Sequence, residues 1–266
     1  MGRDRHERQI VIRGHAFDLP AAPPGWDEAS HPPIRIVDPV GGAVAWLAPD
    51  VGAICVGFAV RDARAAGGWT PILRSAIPPD HGGHRGRLGC LPLVALAHQP
   101  LPAARATATS TASTRLRWRM IERDPTAVVL EISVPVTHRT LEPNPSSGSL
   151  RLQLTAQLEG GALALKLEAR NEGPRVVRVG LGLRPTFSAR TDGGRLVAPS
   201  GLRIGIAPGG GVRHRATRAS GDRAEVSVAV LGYAPGRGLG ELPPGGQTRI
   251  AVSIGAVGQG PAHARV

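Results

Sequence analysis

Alternation with a period of two residues runs through the sequence and restricts its fold more than any other feature. Leu150, Leu152, Leu154, Ala156 and Leu158 take every second position, with Arg151, Gln153, Thr155 and Gln157 between them. Successive side chains of a β-strand point to opposite faces, so this run dries one face and wets the other. A helix would scatter the same leucines around its circumference. After Gly160 and Gly161 a second run sets Leu163, Leu165 and Leu167 at the same spacing. Two such runs joined by a Gly-Gly link predict an antiparallel hairpin, because glycine tolerates the positive φ of a tight hairpin turn. A third run puts Leu116, Trp118 and Met120 on one face and Arg115, Arg117 and Arg119 on the other.

Further strands are expected at 34–37, 43–47, 53–60, 127–136, 176–183, 202–206, 225–231 and 248–254, most of them bounded by glycine and proline. No dozen residues sustain a helical apolar stripe, and the alanine-rich stretch 103–112 is crowded with Thr and Ser and reads as a loop. The fold class predicted is all-β, a large antiparallel sandwich. A length of 266 residues suits one such domain. We expect an irregular N-terminal arm at 1–32, the sandwich at 33–257 and a short tail at 258–266.

Composition narrows the function. Lys plus Arg outnumber Asp plus Glu by 32 to 20, a net charge of +12, which favours nucleic acid, anionic lipid or a carboxylated ligand as partner. Aromatic residues are only 3%, too few for the stacking platforms that hold single-stranded nucleic acid. The face carrying Arg115, Arg117 and Arg119, extended by Arg151, is a candidate anion-binding stripe or the solvated outer face of a sheet.

Two cysteines, Cys55 and Cys90, exclude a disulfide framework and a cysteine-rich zinc site. His81 and His84 stand at i, i+3 in a glycine-rich loop, with Cys90 and His98 further on, but no second paired motif accompanies them; no metal site is expected. The glycine-rich stretch 236–240 is followed by no helix, so it is not a phosphate cradle. No Gly-x-Ser-x-Gly elbow occurs. Residues 39–60 carry a single charge, Asp50, yet Pro49-Asp50 at the centre and four glycines suit a buried hairpin better than a membrane span. The charged N-terminus lacks an apolar run, so a cytoplasmic location without membrane association is expected.

The most informative stretch runs from Asn171 through Gly180, Gly182, Arg184 and Pro185 to Phe187. It resembles the aldose 1-epimerase (galactose mutarotase) family, in which a strand ending in Asn and a short turn lead to Gly-x-Gly-x-His-Pro-Tyr-Phe. Other pieces follow in the family's order over roughly 36–255. Residues 41–60 look like its opening hairpin and Ile72-Leu73-Arg74 like its leading-arginine segment. Gly89 to Val94 is similar to the Gly-x-Phe-Pro-Leu motif, Trp118 to the Trp that begins a strand pair, and Leu242 to Gly245 to Leu-x-Pro-Gly.

The resemblance implies a β-supersandwich with a sugar cleft on one sheet. It also implies interconversion of sugar anomers by a Glu base and a His acid, with no cofactor. The chain departs from that chemistry at each decisive point. The acid's position holds Arg184, which does not release its proton at any working pH. The Asn-Arg pair expected after the Pro-Leu motif is His98-Gln99, the His-Gly before the Trp is missing, and 226–235 contains no Glu-Pro. Glu225 and Glu241 are the nearby carboxylates and hence the base candidates, so no catalytic residue is assigned. We expect a carbohydrate-binding protein, weak or inactive on simple hexoses, with Arg184, His98, Gln99 and Arg74 as substrate-binding residues and an acidic or phosphorylated sugar as ligand. The alternatives are an isomerase with relocated groups, His98 and Glu241, and a basic sandwich that binds nucleic acid or an anionic polymer through its arginine face.

Overall fold

The computed structural model describes residues 9–12, 15–23, 25–65, 67–73, 89–97, 117–137, 147–192, 195–197, 202–206, 211–220, 223–231 and 240–256. In chain order the strands are β1 (Gln9–Ile12), β2 (His15–Asp18), β3 (Ile34–Asp38), β4 (Ala43–Ala48), β5 (Ile54–Arg61) and β6 (Trp69–Pro71). There follow β7 (Cys90–Ala97), β8 (Arg119–Arg123), β9 (Ala127–Thr137), β10 (Ser147–Glu159), β11 (Ala162–Asn171) and β12 (Val177–Asp192). The last are β13 (Arg195–Val197), β14 (Leu202–Ile206), β15 (Gly211–Ser220), β16 (Arg223–Leu231), β17 (Gly240–Leu242) and β18 (Gln247–Ala256). A single 3₁₀ turn, Pro49–Val51, links β4 to β5, and no α-helix occurs among the described residues.

Every pairing among these strands is antiparallel. One sheet has six strands in the order β14-β18-β11-β10-β9-β8. The other runs β15-β16-β12-β7-β5-β4-β3, with β13 and β17 beside β12 and β6 beside β5. The alternating runs form the first sheet as expected. Leu130, Leu154, Leu167 and Ile250 stand in register across β9, β10, β11 and β18, all buried. One position along, Glu131, Gln153, Glu168 and Arg249 make the matching outer row. Each leucine taken out of water contributes about 1.5–3 kcal/mol, so a slip of one residue in any strand would wet its whole inner face. Gly160 and Gly161 turn β10 into β11 at φ 56° and 78°, the left-handed geometry that a two-residue link needs.

A single buried cluster joins the two sheets, and β12 feeds it Val177, Val179, Leu181, Leu183 and Phe187. Strand alternation therefore sends Arg178, Gly180, Gly182, Arg184 and Thr186 to the opposite face of β12. Two polar side chains lock the ends of this arrangement. Asp38, buried, accepts hydrogen bonds from the backbone N–H of Gly41 (2.8 Å) and of Gly161 (3.1 Å), tying the β3–β4 turn to the β10–β11 turn. Asn171, fully buried at the end of β11, donates from Nδ2 to the carbonyls of Arg175 (2.7 Å) and Leu242 (2.9 Å). Its Oδ1 accepts from the N–H of Gly173 at 2.9 Å. Asn171 thereby sets the turn that launches β12.

Two expectations are corrected. Residues 1–32 are not simply an irregular arm: β1 and β2 pair as a hairpin, and the chain after them packs on the sandwich. Trp26 is buried in a second cluster with Val44, Trp46, Ala48, Val51, Ile54, Val56 and Ala59, on the face of β4 and β5 that points away from the main core. Pro23 sits against Gly57, where any Cβ would collide with its ring. The second correction is Met120, which is 44% exposed. The alternation beginning at Leu116 does not persist through β8: this strand has one neighbour, a register shift lies between Met120 and Glu122, and all five of its residues are exposed. A bulge at a sheet edge re-aims the side chains beyond it. β1, β2, β6, β7, β13, β15 and β17 are strands that period-two reading did not pick out: β1, β2, β6, β13 and β17 are short, Pro92 interrupts β7, and β15 has only Val212, Ala216 and Ala219 as apolar residues after its first glycine.

Candidate functional site

The position that the sequence marks most strongly, Arg184, lies inside β12, where the backbone is held from both sides. Across one edge it faces Leu91 of β7, and β16 pairs with the other edge at Leu183 and Thr186. The side chain is half-buried. A guanidinium on such a strand is a fixed cation with five N–H donors, suited to a bidentate grip on a carboxylate or phosphate. It cannot cycle a proton at neutral pH, so it does not replace an imidazole acid.

The other proposed site residues reach this strand at different points. An isolated bridge pairs Leu73 with Phe187, three positions or about 10 Å along β12 from Arg184. Arg74 follows directly but lies outside the described residues. β7 ends at Ala97, which faces Arg178, six positions or about 20 Å from Arg184. His98 and Gln99 continue from there and are also outside the described residues, as are His81, His84 and Arg115.

Glu241 belongs to β17 and is the direct partner of Arg178. Its side chain is 71% exposed and its Oε1 stands 3.9 Å from Arg178 Nε. Glu225 opposes Ser188 through β16, four positions or about 13 Å from Arg184. A base and an acid that open one sugar ring must both lie within hydrogen-bond reach of it. The backbone puts Glu241 at the far end of β12 from Arg184, across Arg178 from Ala97, the residue before His98 in the sequence. Sequence reading passed over Arg178. It shares the face of Arg184, with Gly180 and Gly182 between them, and the signal was its even-numbered spacing from Arg184.

The arginine face of the smaller sheet is interleaved with acids. Arg119 pairs with Glu131 (3.3 Å), and Arg151 pairs with Glu131 (3.9 Å) and with Glu172 (3.0 Å). Lys166 pairs with Glu168 at 2.8 Å. A row of alternating sign offers a polyanion less than its arginine count suggests. Among the described residues no three His, Cys, Asp or Glu side chains gather as they would around a metal, and no helix is long and apolar enough to cross a membrane.

Two antiparallel sheets sharing one core, with a Gly-x-Gly-x-Arg-Pro strand in the larger, define a galactose mutarotase-like β-sandwich. Solved structures bear this out. A galactose mutarotase-like protein from Clostridium acetobutylicum is similar over 84% of this chain and 94% of its own, with a TM-score of 0.58 at 13% identity. The GalM/aldose epimerase homologue from C. elegans is similar over 85% and 99%, with a TM-score of 0.58 at 9% identity. A galactose mutarotase related enzyme from Lactobacillus acidophilus is similar over 85% and 98%, with a TM-score of 0.55 at 10% identity. At these identities the likeness establishes the fold. No protein-family model matches the sequence, and no curated protein matches it in sequence.

Proposed function

We propose that this chain is a cytoplasmic carbohydrate-binding protein of the aldose 1-epimerase kind, which holds an acidic or phosphorylated sugar on the face of β12 that carries Arg184. The observation that supports this reading is the position of Arg184. It immediately precedes Pro185 within the Gly180–Phe187 strand, on the face turned away from the core. Where the resembling family has a proton donor for the ring oxygen, this chain has a permanent cation. That exchange favours binding of an anion over turnover of a neutral hexose. The net charge of +12 adds long-range attraction for the same ligands.

Calorimetry with galactose, galacturonate and galactose 6-phosphate, on the wild type and on Arg184→Ala, tests the reading. A charge-assisted hydrogen bond contributes about 1.5–3 kcal/mol, so loss of Arg184 should weaken the acidic ligands about 10–150-fold and leave galactose nearly unchanged. Equal binding of neutral and acidic sugars, or of both proteins, would refute it. Polarimetry should show little acceleration of galactose mutarotation, since an absent acid or base forfeits about 10²–10⁴-fold.

A further inference from the structure

The chain contains two cysteines, Cys55 and Cys90, and the fold sets them face to face. They are Cα partners of the antiparallel β5–β7 pair. Cys55 also opposes Leu47 of β4 and Cys90 opposes Pro185 of β12, so one row crosses four strands and ends beside Arg184. A sheet residue has at most two directly opposed partners, so two cysteines scattered over a chain of this length would meet in this way about once in a hundred. Opposed residues of an antiparallel pair send their side chains to the same face with Cα atoms about 4.5–5.5 Å apart, within the span of a disulfide. Both side chains are buried in the main core and both are free thiols.

We propose that Cys55 and Cys90 form a redox pair, which a low-molecular-weight disulfide converts to an intramolecular bridge across the β5–β7 seam. The exchange balances in two steps. One cysteine sulfur, having lost its proton, attacks the small disulfide to give a mixed disulfide and release one thiol. The second cysteine sulfur, likewise deprotonated, displaces the other half, so that the protein gives up two electrons and two protons and one small disulfide becomes two small thiols.

The surroundings set the rate. Burial pushes the Cys55 thiol up to about 12. Burial also raises Cys90 well above its ordinary value, and the neighbouring Cys55 sulfur adds to the effect. Thiolate is therefore scarce in the closed sheet, and exchange runs through opening of the seam or during folding. The Arg184 N–H and guanidinium lie near the Cys90 sulfur and pull weakly the other way. The bridge would thus fasten the sheet directly beside the strand position proposed to hold the ligand.

The test compares equilibria, so slow exchange does not obscure it. The reduced full-length chain is refolded to equilibrium in glutathione redox buffers, and parallel samples are equilibrated in guanidinium chloride. Both sets are quenched with an alkylating agent and weighed by mass spectrometry. An internal bridge appears as loss of two hydrogens with neither cysteine alkylated. A bridge that the fold favours should form with an equilibrium constant about a hundredfold larger in the native protein than in the unfolded chain. The bridged protein should also melt roughly 5–10 °C above the reduced one. A native-to-unfolded ratio of one or less, stable glutathione adducts on separate cysteines, or linked dimers would each overturn the proposal. Neither measurement depends on a cysteine variant that folds.

Discussion

Replacing Asn171 by aspartate preserves the shape of the side chain and removes both of its N–H donors. In the native protein those donors meet the carbonyls of Arg175 and Leu242 at 2.7 and 2.9 Å, at a position with no solvent exposure. In N171D an oxygen faces those two carbonyls instead. A buried carbonyl left without a partner costs about 1–3 kcal/mol, so the pair predicts a loss of about 4 kcal/mol near neutral pH, or about 8–15 °C in Tm. The charged carboxylate is disfavoured by burial and by both carbonyl dipoles, so its folded pKa must rise above the ~3.9 of an unfolded aspartate. A raised folded pKa means that the folded state binds the proton more tightly. The variant is therefore most stable below the unfolded pKa and loses ~1.4 kcal/mol per unit as pH rises, until the folded pKa is passed. Urea unfolding of wild type, Asn171→Asp and Asn171→Ala, followed by tryptophan fluorescence at about pH 4.5 and about pH 7.5, measures this. The Asp variant should approach the Ala variant at the acid end and fall below it at the alkaline end. A deficit that does not change with pH, or one under ~1 kcal/mol, would show that Asn171 is not the buried hydrogen-bond centre described.

Three further outcomes are expected. Gly57→Val forces Pro23 off β5; it should cost about 1–3 kcal/mol and make residues 19–31 the first site of limited proteolysis, whereas wild-type protection there would contradict the packing of Trp26. Asp38→Ala unbonds the N–H groups of Gly41 and Gly161, and chemical denaturation should report a loss of about 2–4 kcal/mol. Hydrogen bonds from Thr126 and Ala127 hold the Asp124 carboxyl below its ordinary 3.8; a lowered folded pKa contributes stability above the unfolded value that disappears as pH falls through the folded one. An NMR titration should place its midpoint below 3.8, and Thr126→Ala should move it back up.

How much of the fold the sequence reveals depends on how strands are buried. β10 and β11 have one wet face and one dry face, so Leu150–Leu158 and Leu163–Leu167 announce both their period and their register. β4 is buried on both faces, Ala43 to Ala48 without exception, because Trp26 and its neighbours cover the side that the core does not. Alternation disappears there, and only the flanking turn residues mark the strand. The cover itself was illegible: Ala21 to Pro24 looks like linker composition. Its docking depends on Gly57 being flat enough to admit Pro23, a complementarity between distant residues that no local pattern encodes. Met120 failed for the opposite reason. The local alternation is correct in form, but β8 is an edge strand with a register shift, and tertiary position overrides the pattern.

The site follows the same logic at finer grain. Arg184 was legible only through the resemblance of its strand, whose two alternating glycines, arginine and proline are similar to the family's Gly-x-Gly-x-His-Pro. What surrounds Arg184 is supplied by segments remote in sequence, and pairing register alone decides where they arrive. Leu73 reaches β12 at Phe187, Ala97 and Glu241 reach it at Arg178, and Glu225 reaches it at Ser188. Those meeting points run from Arg178 to Ser188, so residues that the family resemblance placed in one group arrive over about 30 Å of the strand. Ala97, one residue before His98 in the sequence, and Glu241 reach β12 at the same residue, so register does not set the candidate acid and base apart. Anion binding by one guanidinium needs no such convergence, since two donors in one planar fork suffice and the two-sided ladder already holds that fork's strand in place. The proposal of binding over turnover therefore rests on the identity of residue 184.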